Sequence, residues 1–245
     1  MIFNYRDFKT FLYHAKNAGK ITSMSEWDGS NAIILRHDVD LDIEAAYRLA
    51  LIEFECGVKS TFFILTTCHS YNPCSSINRR LLHEMTEMGF EIGLHFDPTL
   101  YEETDEVKLK QYVDKEAEIL SDITRKPVRS ISLHNPFLHG QYPVFEGYCN
   151  AYSGQLFSDD SYISDSRMDF RGKDPYEFVL NVKYRPVQVA LHPVHFSENG
   201  DAYPDLFYRY LKNYITQVDR AFRVNSTYAA QMPMDLFSYL RLKQE

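Results

Sequence analysis

The sequence lacks the features that would place it in several large classes. No run of about 18 apolar residues occurs, so no transmembrane helix is expected. The start, MIFNYRDFKTFLYH, has no basic stretch leading into an apolar one, so no signal peptide is expected. The four cysteines, Cys56, Cys68, Cys74 and Cys149, form no C-x-x-C pair and no disulfide-rich spacing. Together these absences make a reduced, cytoplasmic setting the expectation. Basic residues are outnumbered, 26 Lys and Arg against 34 Asp and Glu for a net charge of −8, which argues against a nucleic-acid partner that would need a basic face. There is no G-x-S-x-G nucleophile elbow and no glycine-rich phosphate loop. Internal repeats, low-complexity tracts and linkers are missing too, so one domain over 1–245 is expected.

What is present is an ordinary globular balance, 44% hydrophobic and 24% charged, sufficient for a large core. The 15% aromatic content is high. Its usual role is core packing, and its functional role would be stacking against sugar rings. Apolar spacing predicts helices over 4–20, 42–57, 77–89, 104–124 (capped by Thr104), 205–222 and 229–242. Strands are expected over 32–36, 59–67, 90–95, 128–134 and 186–192, with short ones near Tyr162 and over Phe178–Val182. Strand and helix alternate, which means βαβ units and a parallel sheet. Strands rich in Ile, Val, Leu and Phe fit burial on both faces.

One stretch, IILRHDVDLD at 33–42, breaks from an aliphatic run straight into charge without the Gly, Pro, Asn or Ser of an ordinary turn. It puts His37, Asp38 and Asp40 at a strand end. LHFD places His95 and Asp97 at another, LHNP places His134 and Asn135, and LHPVH places His192 and His195. A lone histidine there is commonly a structural hydrogen bonder, and Asp40 or Asp42 could be a helix N-cap. In parallel α/β folds, however, the carboxyl ends of the strands form the ligand-binding face. Four separate segments would then bring His and Asp to one place. Imidazole nitrogen with carboxylate oxygen suits Zn²⁺ or a similar divalent transition metal, and a further histidine could serve as general acid.

With LRHDVD, GVKSTFF, GFEIGLHFD, SLHNP, YISDS and VALHPVHF in that order, the chain resembles the polysaccharide deacetylase (NodB-homology, carbohydrate esterase family four) superfamily. More narrowly it looks like the RHDVD branch associated with O-antigen and capsule biosynthesis. The resemblance spans nearly the whole chain. It implies a deformed (β/α) barrel, commonly seven-stranded. It also implies a metal-dependent hydrolase that removes an N-acetyl group from a sugar of a surface-polysaccharide precursor, carried on a nucleotide, a lipid or an oligosaccharide.

By the same resemblance, Asp38 is the catalytic base and Asp40 a metal ligand, though the two roles could be exchanged. His95 is a second ligand. The family's next ligand position, in a His-x-x-x-His motif, holds Thr99 here. His134 stands where the family has an arginine near the base, and is the candidate third ligand. Alternatively it only hydrogen-bonds Asp38, and Asp97, His37 or water completes the site. His192 takes the general-acid position, with Asp165 holding its ring or a sugar hydroxyl. The backbone N–H near Phe137 would serve an oxyanion hole. The aromatic segment 135–165 would form the sugar platform. His37, Asp97, Asn135, Asp165 and His195 are expected to bind substrate or support the ligands. One divalent ion is implied, Zn first, with Co, Ni, Mn or Fe as alternatives. Two other readings remain open on sequence: another metal-dependent hydrolase such as a phosphoesterase, and a degenerate sugar-binding relative.

Overall fold

The computed structural model describes residues 1–102 and 105–243. The expectation is one domain over 1–245; by packing, the chain divides into two compact units, Met1–Gly200 and Asp201–Glu245.

The first unit alternates as the apolar pattern requires. Its elements are α1 (Tyr5–Ala18), β1 (Ile21–Thr22), β2 (Ile33–Val39), α2 (Ile43–Glu55), β3 (Thr61–Leu65), α3 (Ser76–Glu87), β4 (Glu91–Phe96), α4 (Glu106–Thr124), β5 (Ser130–Leu133), α5 (Pro136–His139), β6 (Cys149–Asn150), β7 (Tyr162–Ser164), α6 (Pro175–Phe178) and β8 (Val187–Leu191). Caps set the helix starts: Asn4, Asp42 and Ser75 accept backbone N–H groups at the heads of α1, α2 and α3. The expected cap Thr104 lies outside the described residues, and Asp105 caps α4 by accepting from the N–H groups of Val107 and Lys108.

Seven strands run in the order β6-β5-β4-β3-β2-β8-β7, with β1 beside β2. Every pair is parallel. They form a curled half-barrel with helices outside, the deformed (β/α) barrel expected from the sequence. The two faces of the strands differ sharply. Ile33, Leu35 and Val39 of β2 pack outward into a large core shared with the helices. Ile34 of β2 and Phe63 of β3 join only a small inner cluster with Met24, Ala151 and Leu156. Many of the other inward positions are polar, among them Arg36, Asp38, Thr61, Ser130, Ser132 and Gln188.

Three details shape that interior. Gln188 of β8 donates to the carbonyls of Ala151 and Leu156 at 3.0 and 2.9 Å, tying β8 to the chain that follows β6. On β4, a Cβ at Gly93 would lie 2.6 Å from the Phe63 ring and 2.8 Å from Ser130 Oγ, so only glycine fits between β3 and β5. At the amino-terminal ends of the strands, Glu91 accepts from Ser25 N–H, Thr61 Oγ1 and Ser130 Oγ, a saturated polar floor.

Two expected elements differ. Phe178–Val182 is helical rather than a strand: Asp174 accepts the Tyr176 N–H at a helix start with Pro175 in the first position, and Phe178, Val179 and Val182 are buried. The single helix expected over 229–242 is two, α8 (Ser226–Gln231) and α9 (Leu236–Leu242), since Pro233 cannot sit inside a helix without removing a hydrogen bond.

The second unit comprises α7 (Tyr203–Phe222), α8 and α9. Asp219 accepts from Arg223 Nε at 2.9 Å and Tyr228 OH at 2.8 Å, and Asn225 and Asp235 cap α8 and α9. Among the described residues no helix is long and apolar enough to cross a membrane.

Candidate active site

Asp40 follows β2 directly, His95 is the last residue but one of β4 and His134 follows β5. The parallel sheet brings these carboxyl ends to one side. The three side chains meet: His95 Nε2 lies 3.1 Å and His134 Nδ1 3.4 Å from the same oxygen, Asp40 Oδ1, and 3.2 Å from each other. Four ligands placed tetrahedrally about 2.0–2.1 Å from a zinc ion would stand about 3.3–3.4 Å apart. The triangle of donors is of that size. Asp40 Oδ1 is buried and accepts no hydrogen bond of good geometry, an orphaned atom that a cation would satisfy. His95 turns its other nitrogen, Nδ1, to the Ser132 carbonyl at 3.3 Å, the outer contact by which a ligating histidine is oriented. The Asn135 amide lies 2.8 Å from His134 Nε2 and fixes that ring. The donor set therefore fits a divalent metal. Burial alone would raise the Asp40 carboxyl, but contacts with His134 and His95 and the charge of His192 hold it well below the usual carboxylate range. Burial likewise works against charging His134, and Asp40 outweighs it, raising that imidazole.

A second group of the same composition lies alongside. Asp165, just after β7, is fully buried. It accepts the His192 backbone N–H on both oxygens, at 3.0 and 3.1 Å. His192 Nδ1 meets its Oδ1 at 2.6 Å, and His195 Nδ1 its Oδ2 at 3.1 Å. With Nδ1–H engaged, His192 Nε2 is left pointing toward Asp40 Oδ2, 3.7 Å away. Burial would lower the His192 imidazole, yet the Asp165 charge and hydrogen bond push it up to about 9. The two histidines, against the cost of burial, bring Asp165 down to about 2.

Asp38 lies apart from both groups. It is buried on the inner face of β2, where Arg36 Nη2 lies 3.2 Å from its Oδ2 and Ser132 Oγ 3.4 Å from its Oδ1. Arg36 is wholly buried. Its guanidinium sits 4.8 Å from the Tyr152 ring centre and 5.6 Å from that of Tyr162, and it donates to the Tyr152 hydroxyl at 2.9 Å. Asp38 and the flanking rings overcome the cost of burial and keep Arg36 charged.

Asp38, Asp40, His95, His134 and His192 line a cleft of about 520 Å³, whose aromatic wall includes Phe137, Tyr142, Tyr152, Phe157 and Tyr162. Phe157 packs edge-on against Tyr152 and Tyr162, with ring centres 4.8 and 5.1 Å apart.

The other expected site residues scatter. Asn135 lines the cleft, and His195 is buried behind His192 against Phe3. His37 does not reach the site. The alternation of β2 sends it outward, where it bonds Glu53 of α2 at 2.5 Å and stacks on Phe62 at 4.4 Å. Asp97 caps the turn after β4, accepting from the N–H and hydroxyl of Thr99, and the cleft lining includes neither residue.

Arg36, Ser132, Tyr152 and Tyr162 join the site although the pattern of His and Asp at strand ends does not point to them. The signal for Arg36 is legible in hindsight: Arg36, Asp38 and Asp40 are spaced by two, the period of one face of a strand. Taking the strand to end at Arg36 hides it.

No family model matches the chain, and no curated protein does. Among solved structures the chain is similar to a chitin deacetylase from the fungal pathogen Colletotrichum lindemuthianum, with 16% identity over 79% of this chain and 86% of that one and a TM-score of 0.48. It is similar to a peptidoglycan deacetylase from Bacillus subtilis, with 16% identity over 74% of this chain and 83% of that one, TM-score 0.45. It is also similar to a CE4 family pseudoenzyme from Bacillus anthracis, with 16% identity over 75% of this chain, TM-score 0.41. This chain spans less than two thirds of that last protein, 62% of its length. These are likenesses of fold at low identity, to carbohydrate deacetylases and to a pseudoenzyme of the CE4 family alike.

Proposed function

We propose that the chain is a metal-dependent hydrolase that removes an N-acetyl group from a sugar unit of a surface-polysaccharide precursor, acting in the cytoplasm. The observation that carries the reading is the meeting of Asp40, His95 and His134, from three distant segments, at ligand spacing around one orphaned oxygen. These three would hold the divalent ion, Zn²⁺ by the chemistry of the donors. When bound, such an ion supplies Lewis acidity toward a carbonyl oxygen and lowers the pKa of water.

The remaining steps belong to the chain's own residues. Asp38, which accepts from Arg36, takes the proton of the attacking water. His192, protonated and with Nδ1–H committed to Asp165, delivers the Nε2 proton to the departing sugar amine. Phe137 N–H donates to the oxyanion. Tyr152, Phe157 and Tyr162 face the sugar ring, and His195 steadies Asp165. The position of Asp40 among the histidines, with Asp38 on Arg36, supports Asp40 as ligand and Asp38 as base.

The test is metal analysis of the purified protein together with acetate release from N-acetylated sugars. About one metal per chain and metal-dependent acetate release are expected. Sugar binding with neither metal nor turnover would overturn the reading in favour of a binding protein, and a count of two or three metals would favour a phosphoesterase.

A further inference from the structure

The cleft holds two cations that the proposed hydrolysis does not use, Arg167 and Arg171. Arg171 donates from Nη2 to Ser166 Oγ at 3.0 Å, and its guanidinium lies 5.9 Å from the Phe137 ring centre. Neither arginine meets a carboxylate among the described residues. The cleft lining has one acidic group besides Asp38 and Asp40, namely Asp159.

The segment that carries them is fixed rather than loose. It starts at Asp165, the carboxylate that holds His192. Met168 N–H donates to the Asp165 carbonyl at 2.6 Å, and Ser166 N–H donates to Ser164 Oγ at 3.2 Å. Two of its residues with a Cβ, Met168 and Arg171, adopt left-handed backbone, φ 54° and 55°, a region such residues seldom occupy. Both arginine side chains are exposed to a ligand entering the cleft. The segment that carries both arginines begins at the residue whose carboxylate sets the position of the general acid.

We propose that Arg167 and Arg171 bind a phosphate group joined to the sugar. The substrate class is then a phosphate-linked N-acetyl sugar, not a neutral oligosaccharide; this rests on the deacetylase reading above. The guanidinium fork matches phosphate oxygens in pairs. Two forks are served more fully by the three or more oxygens of a terminal phosphate or a diphosphate than by the two of a carboxylate. The aromatic wall takes the sugar, and the acetamide is left to the Asp40 end of the cleft. The phosphate could belong to a nucleotide diphosphate or to a lipid carrier.

The test compares acetate release and calorimetric binding for four probes: N-acetylglucosamine 1-phosphate, UDP-N-acetylglucosamine, a short-prenyl diphosphate N-acetylglucosamine, and neutral chitotriose. A preference in kcat/KM for the phosphate-linked probes over chitotriose is expected. In the Arg167→Ala/Arg171→Ala variant that preference should fall about 100-fold, about tenfold for each charge-assisted bond lost, with part retained by Arg171→Lys. The better of the nucleotide and prenyl probes identifies the carrier. Equal use of chitotriose, or a preference untouched by the double variant, overturns the phosphate site and leaves the deacetylase reading standing. Arginine-dependent binding of the phosphate probes with no acetate from any of them upholds the site and overturns the deacetylase reading. No binding of any phosphate probe at millimolar concentration overturns the site.

Discussion

Two groups, each of one aspartate and two histidines, stand side by side at the carboxyl ends of the same sheet, and they are built for different work. In Asp40–His95–His134 both rings approach one oxygen, at 3.1 and 3.4 Å, and that oxygen accepts no well-formed hydrogen bond. In Asp165–His192–His195 each ring takes its own carboxylate oxygen, at 2.6 and 3.1 Å, and the backbone N–H of His192 bonds to both. The first arrangement leaves lone pairs converging, which a cation satisfies. The second uses the carboxylate fully, and what it produces is a charged imidazole. Residue type is the same in both. What differs is whether the donors share an atom or divide the available atoms.

The largest effects should come from breaking the first group. His134→Ala should lose metal by more than the roughly 10–100-fold in affinity that removal of an outer partner costs, read as metal per chain after dialysis. His195→Ala, the equivalent deletion in the second group, should leave the metal content unchanged. If His134→Ala keeps its metal through dialysis while His195→Ala loses it, the two groups have been assigned the wrong way round.

Next come the proton carriers. His192→Ala should lower kcat by about 10²–10⁴-fold, the usual range for a general acid or base, with metal retained. Asp38→Asn should do at least as much, also with metal retained. Metal lost from Asp38→Asn, with Asp40→Asn retaining it, would mean that the two carboxylates exchange roles.

The pH behaviour sharpens the contrast further. In protein stripped of metal, His192 should titrate near 9, above the ordinary value of about 6.5. Because its folded value is raised, the stabilisation from its charged form is complete below about 6.5 and is lost as pH rises through about 9. Asp165→Asn removes the charge responsible, so the NMR titration of the His192 ring should move down and the loss of stability should begin at lower pH. An unmoved titration would mean that Asp165 is not what keeps His192 charged.

Much of this was legible in the chain. Residues at parallel strand ends share a face by topology alone, so the sequence by itself places His95, His134 and His192 together with Asp38 and Asp40. The alternation within β2 was not legible, because the charged run looked like the end of the strand when it is its continuation to Val39. That one misplaced boundary hid Arg36 inside and sent His37 to the wrong side. The aromatic wall was visible only as a segment, since Tyr152 and Tyr162 acquire their roles by packing on Arg36, an arginine more than a hundred residues away. Asp97 illustrates a different ambiguity. An aspartate before a short turn is a cap and a potential ligand in the same letters, and only the hydrogen bonds to Thr99 decide it.

The smallest effect on catalysis, and the sharpest check on the boundary of β2, comes from His37. It neighbours Asp38 in sequence, yet its ring lies in the outer core against Phe62 and Phe8, and its partner Glu53 also accepts from Ser60 Oγ. His37→Leu fits an apolar setting but strands the buried Glu53 carboxylate, at a cost of about 3–5 kcal/mol for a buried pair broken on one side. His37→Leu/Glu53→Leu removes both polar partners and should recover most of that loss in denaturant midpoint. At a temperature where both variants are folded, kcat and metal content should match the parent. A fall in kcat that persists in the double variant after stability is restored would place His37 in the chemistry and undo the inside-outside assignment of β2.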